Sequence, residues 1–401
     1  MVRTWTGSKR IAFIPVWNRQ VDIEPPDDWI EQIRARVFYD PAPSTGMDRS
    51  LQRYVQATSS GLATIEGEIF PVVAANDDDT VGAGLNSLPA NHGYDYAVII
   101  LPHSAGPHRG GFAWMGGPVT NGVTHFARVA MFSDVNMTNG MTLGVWMMEV
   151  MHIATGFGDL YFTNPSIGGF DVMSCSCGTH PTAHTKSHFG WLNSNAIRTN
   201  PLGKSRTYSL HAISLPQPPP PWRASAIQVP SRKSTGHFLI EARLRNDQYE
   251  SNNAISSGIP SEGVIVYEVQ GTTEVYLRTP TALQAGDVFT DEAEKLTVRV
   301  QASEPGGFKI SVNAGKTSRC KSLANQIEAL ELSLQTETDF FRRKQIISAL
   351  QQARGEFRRL GCLLIHNPAD EVFYSRVFGA GAGGGYNQES EKEECGKASI
   401  D

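Results

Sequence analysis

Three things are scarce in this 401-residue chain: charge of one sign, cysteine, and unbroken apolar sequence. Lys plus Arg total 35 against 40 acidic residues, a net charge of -5 without long runs. No basic footprint for nucleic acid or anionic lipid results, and neither partner is expected. No stretch of about 18 apolar residues occurs, so no membrane span is expected. The opening residues Met1 to Arg10 lead directly into Ile11-Ala-Phe-Ile-Pro-Val16, too short and polar-broken for the apolar core of a signal peptide. The expectation is a cytoplasmic protein unless a leader has been removed. Five cysteines leave one unpaired even if two bridges form, so they do not decide the redox compartment.

What is present fills two or three globular units at roughly 150 residues each. Ile11 to Val16 reads as a buried strand, and Asp27-Asp28 opens a helix with Trp29, Ile33 and Val37 at helical spacing. Leu51, Tyr54 and Val55 mark a second short helix. Residues 62 to 73 alternate, with Ile65, Ile69 and Val73 on one face, and Tyr96 to Leu101 is a continuous apolar strand. This alternation predicts a sheet layered with helices up to about residue 145. Met141 to Ala154 is apolar nearly all round, the pattern of a helix buried on most sides.

After Trp191 short alternating runs separated by Pro, Gly and Ser take over, among them Thr207 to Leu210, His237 to Glu241, Gly263 to Tyr267 and Phe308 to Val312. They predict a β-sandwich-like domain, with Pro216 to Pro221 as an extended insertion. From Ser318 the period becomes helical: Leu323, Ile327, Leu330 and Leu334, then Ile346, Leu350, Ala353, Phe357 and Leu360. Thr336-Glu-Thr338 between the runs makes an antiparallel helical hairpin, with Cys320 and Cys362 at one end, either bridged or free. The expected fold class is α+β. Its units are residues 1–195, a β-rich domain at 196–315, the hairpin at 316–366, and a largely structureless Gly- and Glu-rich tail at 367–401.

The chemistry concentrates in Gly144-Val-Trp-Met-Met-Glu-Val-Met-His-Ile-Ala-Thr-Gly-Phe-Gly-Asp-Leu-Tyr161. A zinc peptidase needs two imidazoles four residues apart on one helical face, plus a Glu that activates the metal-bound water, as H-E-x-x-H. Glu149 and His152 stand in the second and last positions of that motif, but the first is Met148. Alone, Glu followed by His at i+3 is weak. Its apolar setting strengthens it, because a buried ionisable pair is costly without a partner or a function. Downstream come Gly169-Phe-Asp-Val-Met-Ser174 and His180-Pro-Thr-Ala-His-Thr-Lys-Ser-His-Phe-Gly-Trp-Leu192.

In this series the chain resembles the immune inhibitor A type of secreted bacterial metallopeptidase. That family combines a G-V-x-x-H-E-x-x-H helix with G-x-x-D-L-Y, a D-V-M-S Met turn and a lysine followed by G-W-L. Matching residues here are Gly144-Val145, Glu149, His152, Gly156, Asp159 to Tyr161, Asp171 to Ser174, Lys186 and Gly190 to Leu192. Leu51 to Tyr54, Ser60 to Gly67, Glu241 to Arg243 and Gly263 to Tyr267 extend the likeness over about residues 10 to 313. The resemblance implies a zincin-like domain with Glu149 as catalytic base, His152 and Asp159 as zinc ligands, and Met148, Met173, Cys175 and His180 about the cleft.

Two departures bear on that reading. A thioether replaces the first imidazole, and zinc prefers imidazole, thiolate or carboxylate. Asp159 also lies seven residues beyond His152 where the family spacing is six, which an extra residue near Thr155 accommodates. Without that gap, Glu149 and Ile153 fall on the histidine positions and Val150 on the glutamate, removing the catalytic set. Loss of a ligand should lower zinc affinity strongly, since even outer-shell changes reduce it roughly 10 to 100-fold.

Three functions follow. The first is a pseudopeptidase that binds a peptide or protein partner without a cofactor. A second is a zinc endopeptidase with a recruited ligand from Cys175, Cys177, His180, His184 or His188. The third is a different reaction with Glu149 as general base. His92, His103, His108 and His125 receive no role.

Overall fold

The computed structural model describes residues 3–22, 24–76, 79–102, 111–114, 119–121, 124–126, 128–133, 140–253, 255–315, 318–337 and 339–359. Both helices and strands are present, as an α+β reading requires. The first half runs β1 (Gly7–Asn18), α1 (Trp29–Phe38), α2 (Leu51–Thr58), β2 (Ala63–Ile69), β3 (Val73–Ala75), α3 (Thr80–Asn86) and β4 (Tyr96–Leu101). It continues through β5 (Phe112–Trp114), β6 (Val119–Asn121), β7 (Thr124–Phe126), β8 (Arg128–Ser133), α4 (Gly140–Thr155), α5 (Val172–Cys175) and α6 (Ala183–Phe189). Among the described residues the main sheet has the order β2-β1-β4-β8-β5, with β3 also paired to β1. All its pairings are parallel except that of β5, which runs antiparallel to β8 at the edge.

Side-chain alternation divides this sheet into two buried faces. Ile11, Phe13, Val98 and Ile100 join α1, α2 and α4 in one core, while Ala12, Ile14, Val16, Ala97 and Ile99 pack with Leu85 and Leu88 on the other. Burial on both faces explains why β4 reads as an unbroken apolar run. The α4 helix lies within the larger core: Trp146, Met147, Val150, Met151, Ile153 and Ala154 are all buried, which accounts for its lack of a polar face.

The second half holds β9 (Ile197–Thr199), β10 (Ser205–His211), β11 (Arg223–Ala224), β12 (Ala226–Pro230), β13 (His237–Arg243), β14 (Gly263–Val269), β15 (Val275–Leu277), β16 (Val288–Asp291), β17 (Leu296–Glu304) and β18 (Gly307–Asn313). They form two sheets, β15-β14-β13-β12-β9 and β11-β10-β18-β17-β16. The expected boundary at residue 195 separates these sheets from the first by topology but not by packing. Ile213, Leu239, Tyr249, Ile265 and Tyr267 share one core with α4 and β1, and residues up to Lys321 make one compact unit.

A buried ionic network joins the halves. The fully buried Arg243 guanidinium, on β13, donates to both oxygens of Glu250 (3.1 and 2.6 Å), to Glu241 (3.1 Å) and to the carbonyls of Phe170 and His180. Glu241 also accepts from the Ala183 N–H and the Tyr267 hydroxyl, each at 2.8 Å. All five guanidinium N–H groups thus have acceptors.

A second compact unit, from Ser322 to Arg358 among the described residues, holds most of α7 (Ser318–Thr336) and α8 (Phe340–Arg359). α7 ends at Thr336 and α8 begins at Phe340, close to the expected turn, and Asp339 accepts from the Arg342 N–H at 2.8 Å. The seam positions Leu323, Ile327, Leu334, Leu350 and Ala353 are buried, and Arg354 pairs with Glu331 across the helices. Cys362, its proposed bridge to Cys320, and the tail at 367–401 lie outside the described residues. Among those residues no helix is long and apolar enough to cross a membrane.

Candidate functional site

The site begins where α4 ends. The Gly156 N–H bonds to the His152 carbonyl at 2.7 Å, and the chain turns back. The Phe157 carbonyl thereby comes within 2.6 Å of His152 Nδ1, and Asp159 Oδ1 within 2.9 Å of Nε2. The Leu160 N–H then bonds to the Met173 carbonyl at 2.9 Å, fixing this return against the buried Met turn. Asp171 holds the turn by accepting from the Met173 N–H, the Thr182 N–H and the Thr182 and Thr185 hydroxyls.

Glu149, His152 and Asp159 are therefore brought together. His152 and Asp159 are hydrogen-bonded, Glu149 is near enough to feel the charge of both, and Ile153 is fully buried in the core. Burial pushes the Glu149 carboxyl up to about 7, with nearby His152 lowering it and Asp159 raising it. Burial alone would lower the His152 pKa, but its hydrogen bond to Asp159 and the charges of Asp159 and Glu149 raise it overall. With an acceptor at each ring nitrogen, His152 has the surroundings of an imidazolium paired to a carboxylate.

Sequence reasoning missed two contributors. Tyr161, already present in the Asp-Leu-Tyr motif, has a phenol pushed up to about 12 by partial burial and then by its hydrogen bond to Asp159. Gly111 approaches Glu149 so closely that a Cβ there would meet the Glu149 Cγ at 2.3 Å. Nothing local in the sequence marks that approach. Tyr161 and Phe162 expose 47% and 78% of their surfaces with rings 4.5 Å apart, and on β5 Phe112 meets Trp114 at the same distance.

Met148 sits at the first-histidine position, but its sulfur is engaged elsewhere. The Ser176 hydroxyl donates to Met148 Sδ at 3.0 Å. Ser176 lies between Cys175 and Cys177, which are joined by a disulfide and are not free thiols awaiting a metal. The remaining histidines do not converge on them. His180 Nε2 pairs with Asp247 at 2.7 Å, and its Nδ1 lies 3.2 Å from Lys186 Nζ in the other buried network. Burial, then the Arg243 charge, pushes that lysine down to about 8 against Glu250, Asp247 and Glu241. His184 donates to the Thr272 carbonyl, and His188 Nδ1 lies 3.0 Å from the His184 carbonyl.

The described residues do not by themselves assemble a three-ligand zinc centre. His152 and Asp159 supply two suitable donors, and among the described residues no group of three His, Cys, Asp or Glu side chains could hold a metal ion. The recruited set of Cys175, Cys177, His180, His184 and His188 is thus not assembled. His103 and His108, and the side chain of His125, lie outside the described residues. No protein-family model matches the chain, and no curated protein matches its sequence.

Proposed function

We propose that the chain is a zincin-type relative of the immune inhibitor A peptidases that has lost their hydrolytic chemistry, with a cleft that holds a peptide or protein partner without cutting it. One observation carries this reading: the Met148 sulfur, where an imidazole should stand, accepts from Ser176, while His152 and Asp159 satisfy each other. The neutral thioether is a poor zinc donor, and a metal at His152 would have to displace the proton shared with Asp159. The fold supports the reading: α4 lies against a mostly parallel sheet whose antiparallel β5 is an edge among the described strands. An extended peptide can add to such an edge by backbone pairing, with Phe112, Trp114, Tyr161 and Phe162 offering aromatic contacts.

Metal analysis tests the proposal when combined with digestion of an unfolded protein substrate. The unaltered protein is expected to purify with far less than one zinc per chain and to leave the substrate intact, while Met148→His is expected to gain zinc. Stoichiometric zinc with turnover in the unaltered protein would refute it.

A second reading has its own observation. Glu149 is buried, its carboxyl is pushed up to about 7, and it sits beside the His152–Asp159 pair, suiting it to general base chemistry without a metal. Such an activity would rise through pH 7 in metal-free protein and vanish in Glu149→Gln.

A further inference from the structure

The Pro-rich insertion at 216–221 folds back on the β-rich half. Its Pro216 carbonyl accepts from His211 Nε2 at 3.1 Å, and the Pro220 carbonyl accepts from the Arg223 N–H at 2.8 Å. Beside it, where β10 and β17 end, lies a cavity of about 590 Å³ walled by His211, Leu215, Trp222, Arg223, Glu304 and Gly306 among others. Small-molecule sites span roughly 300–1,000 Å³. Three of these residues each keep a buried polar atom with no hydrogen-bond partner among the described residues: His211 Nδ1, Arg223 Nε and Glu304 Oε2. Such atoms are costly alone, and three around one cavity point to a ligand that pairs them. The cluster is contiguous. Arg223 Nη1 donates to the Pro305 carbonyl at 2.6 Å, while Nη2 lies 3.7 Å from Glu304 Oε2, too far for a hydrogen bond. The guanidinium carbon stands 4.4 Å from the Trp222 ring centroid, and Trp222 still exposes 60% of its surface. Burial lowers the His211 pKa, with the Pro216 bond raising it and the Arg223 charge lowering it further. Because a carbonyl only accepts, Nε2 of the neutral ring carries the proton and Nδ1 presents a lone pair. Gly306, at φ 72°, thins the wall: a Cβ there would meet Leu215 Cδ1 at 2.9 Å.

We propose that this cavity binds one neutral pyranose unit of a saccharide. Two acceptors, the His211 lone pair and the Glu304 oxygen, stand with one donor, the Arg223 Nε–H, and sugar hydroxyls both donate and accept. The apolar C–H face of a pyranose packs against the exposed indole of Trp222, gaining dispersion contacts. Glu304, with its side chain 24% exposed, is the most open of the three polar residues, and it swings to admit the ring. Other small ligands leave these walls unsatisfied. A proline ring or an acyl chain has no donor for His211 or Glu304 and would bury both unpaired. An anionic headgroup meets the Glu304 carboxylate, and the one cation of the wall, Arg223, already faces that carboxylate. A nucleobase stacks on an indole as well, but the phosphates of a nucleotide find no second cation here. The site belongs to the β-rich half and involves none of the residues around Glu149.

The test titrates the full chain by calorimetry with neutral disaccharides (maltose, cellobiose, lactose, mannobiose and chitobiose) and, in parallel, with AMP and a short proline peptide. At least one disaccharide is expected to bind one to one, and AMP and the peptide are expected not to bind. Trp222→Ala should weaken saccharide binding about tenfold or more, as loss of an aromatic anchor does, while Trp222→Phe should keep part of it. Glu304→Gln should weaken it roughly 2 to 10-fold, the share of one hydrogen bond. The bound sugar should also shield Trp222 of the unaltered protein from N-bromosuccinimide, read by peptide mass spectrometry. That measurement needs no variant to fold. Failure of every disaccharide to bind, binding of AMP or the peptide that Trp222→Ala removes, saccharide affinity unchanged in both Trp222→Ala and Glu304→Gln, or an unshielded Trp222 would each overturn the proposal. None of these results depends on zinc content or proteolysis, so this site and the peptidase reading fail separately.

Discussion

Two buried charged clusters lie within one core, and they are built to opposite standards. Around Arg243 every guanidinium N–H has an acceptor, and Glu241 and Glu250 share their oxygens among the guanidinium, backbone N–H groups and the Tyr267 hydroxyl. Around Glu149, the His152–Asp159 pair is satisfied, while burial pushes the neighbouring carboxyl up to about 7. Charges retained in low dielectric for structure are paired and hydrogen-bonded, because leaving them otherwise costs several kcal/mol. Glu149 is instead kept where burial disfavours ionisation, so on pairing grounds the two clusters differ in kind. The comparison separates a fully paired cluster from one that keeps a carboxyl in an environment where ionisation is costly.

The strongest way to break it is to open the paired cluster. Arg243→Met leaves two buried carboxylates without their cation and should lower unfolding free energy by about 3–5 kcal/mol in urea titrations. A loss below about 1 kcal/mol would mean that Glu241 and Glu250 are held by their other donors alone, and the cluster would lose its centre.

An intermediate case sharpens the contrast. His184 is buried, has one donor bond to the Thr272 carbonyl, and lies beside His188, Phe157 and His237. Burial pushes its pKa down to about 3, with the Thr272 bond raising it and the two histidines lowering it. The unfolded chain binds this proton more readily, so the stability contribution is fully present above pH 6.5 and is lost as pH falls toward 3. The loss is on the order of a few kcal/mol. His184→Phe should flatten that part of the stability profile; an unchanged slope would place the acid sensitivity elsewhere.

Much of the second cluster's surroundings is legible in sequence, and little of the first's. The continuous apolar run at Tyr96 to Leu101, the all-round apolar α4 and the seam of Leu323, Ile327 and Leu334 carry their structure in local periodicity. Glu149 and His152 stand out because charge is rare in such a helix, and Asp159 follows closely enough for a turn to return it. Arg243 does not stand out: its partners Glu241 and Glu250 are near in sequence, but Phe170 and His180 arrive from another part of the chain. The same limit hid Gly111 beside Glu149 and the seat of Cys175 to Cys177 on Gly144. Cysteines spaced two apart read equally well as metal donors or as a bridge, and which side of a turn they share is a three-dimensional fact.

In the Glu149 cluster, Glu149→Gln should stabilise the protein. The folded carboxyl is raised from 4.5 to about 7, so its favourable contribution is complete below pH 4.5 and lost as pH rises through 7. At pH 8 the amide should gain about 1–3 kcal/mol, and near pH 4 almost nothing. Paired denaturation curves at the two pH values check this. Equal stability at both would mean that the carboxylate is well solvated, and the two clusters would then differ less than their surroundings imply.

The smallest effect probes the hydrogen bond from Ser176 to the Met148 sulfur. A hydroxyl donating to a thioether is a weak bond, so Ser176→Ala should cost only about 0.5 kcal/mol. The informative quantity is its coupling to Met148→Leu in a double-mutant cycle, where the interaction should account for most of that loss. If the two substitutions simply add, the sulfur is placed by core packing alone and Ser176 is a bystander. If they couple, the serine helps to keep Met148 turned away from His152, and restoring an imidazole at 148 should gain further zinc affinity when Ser176 is removed as well.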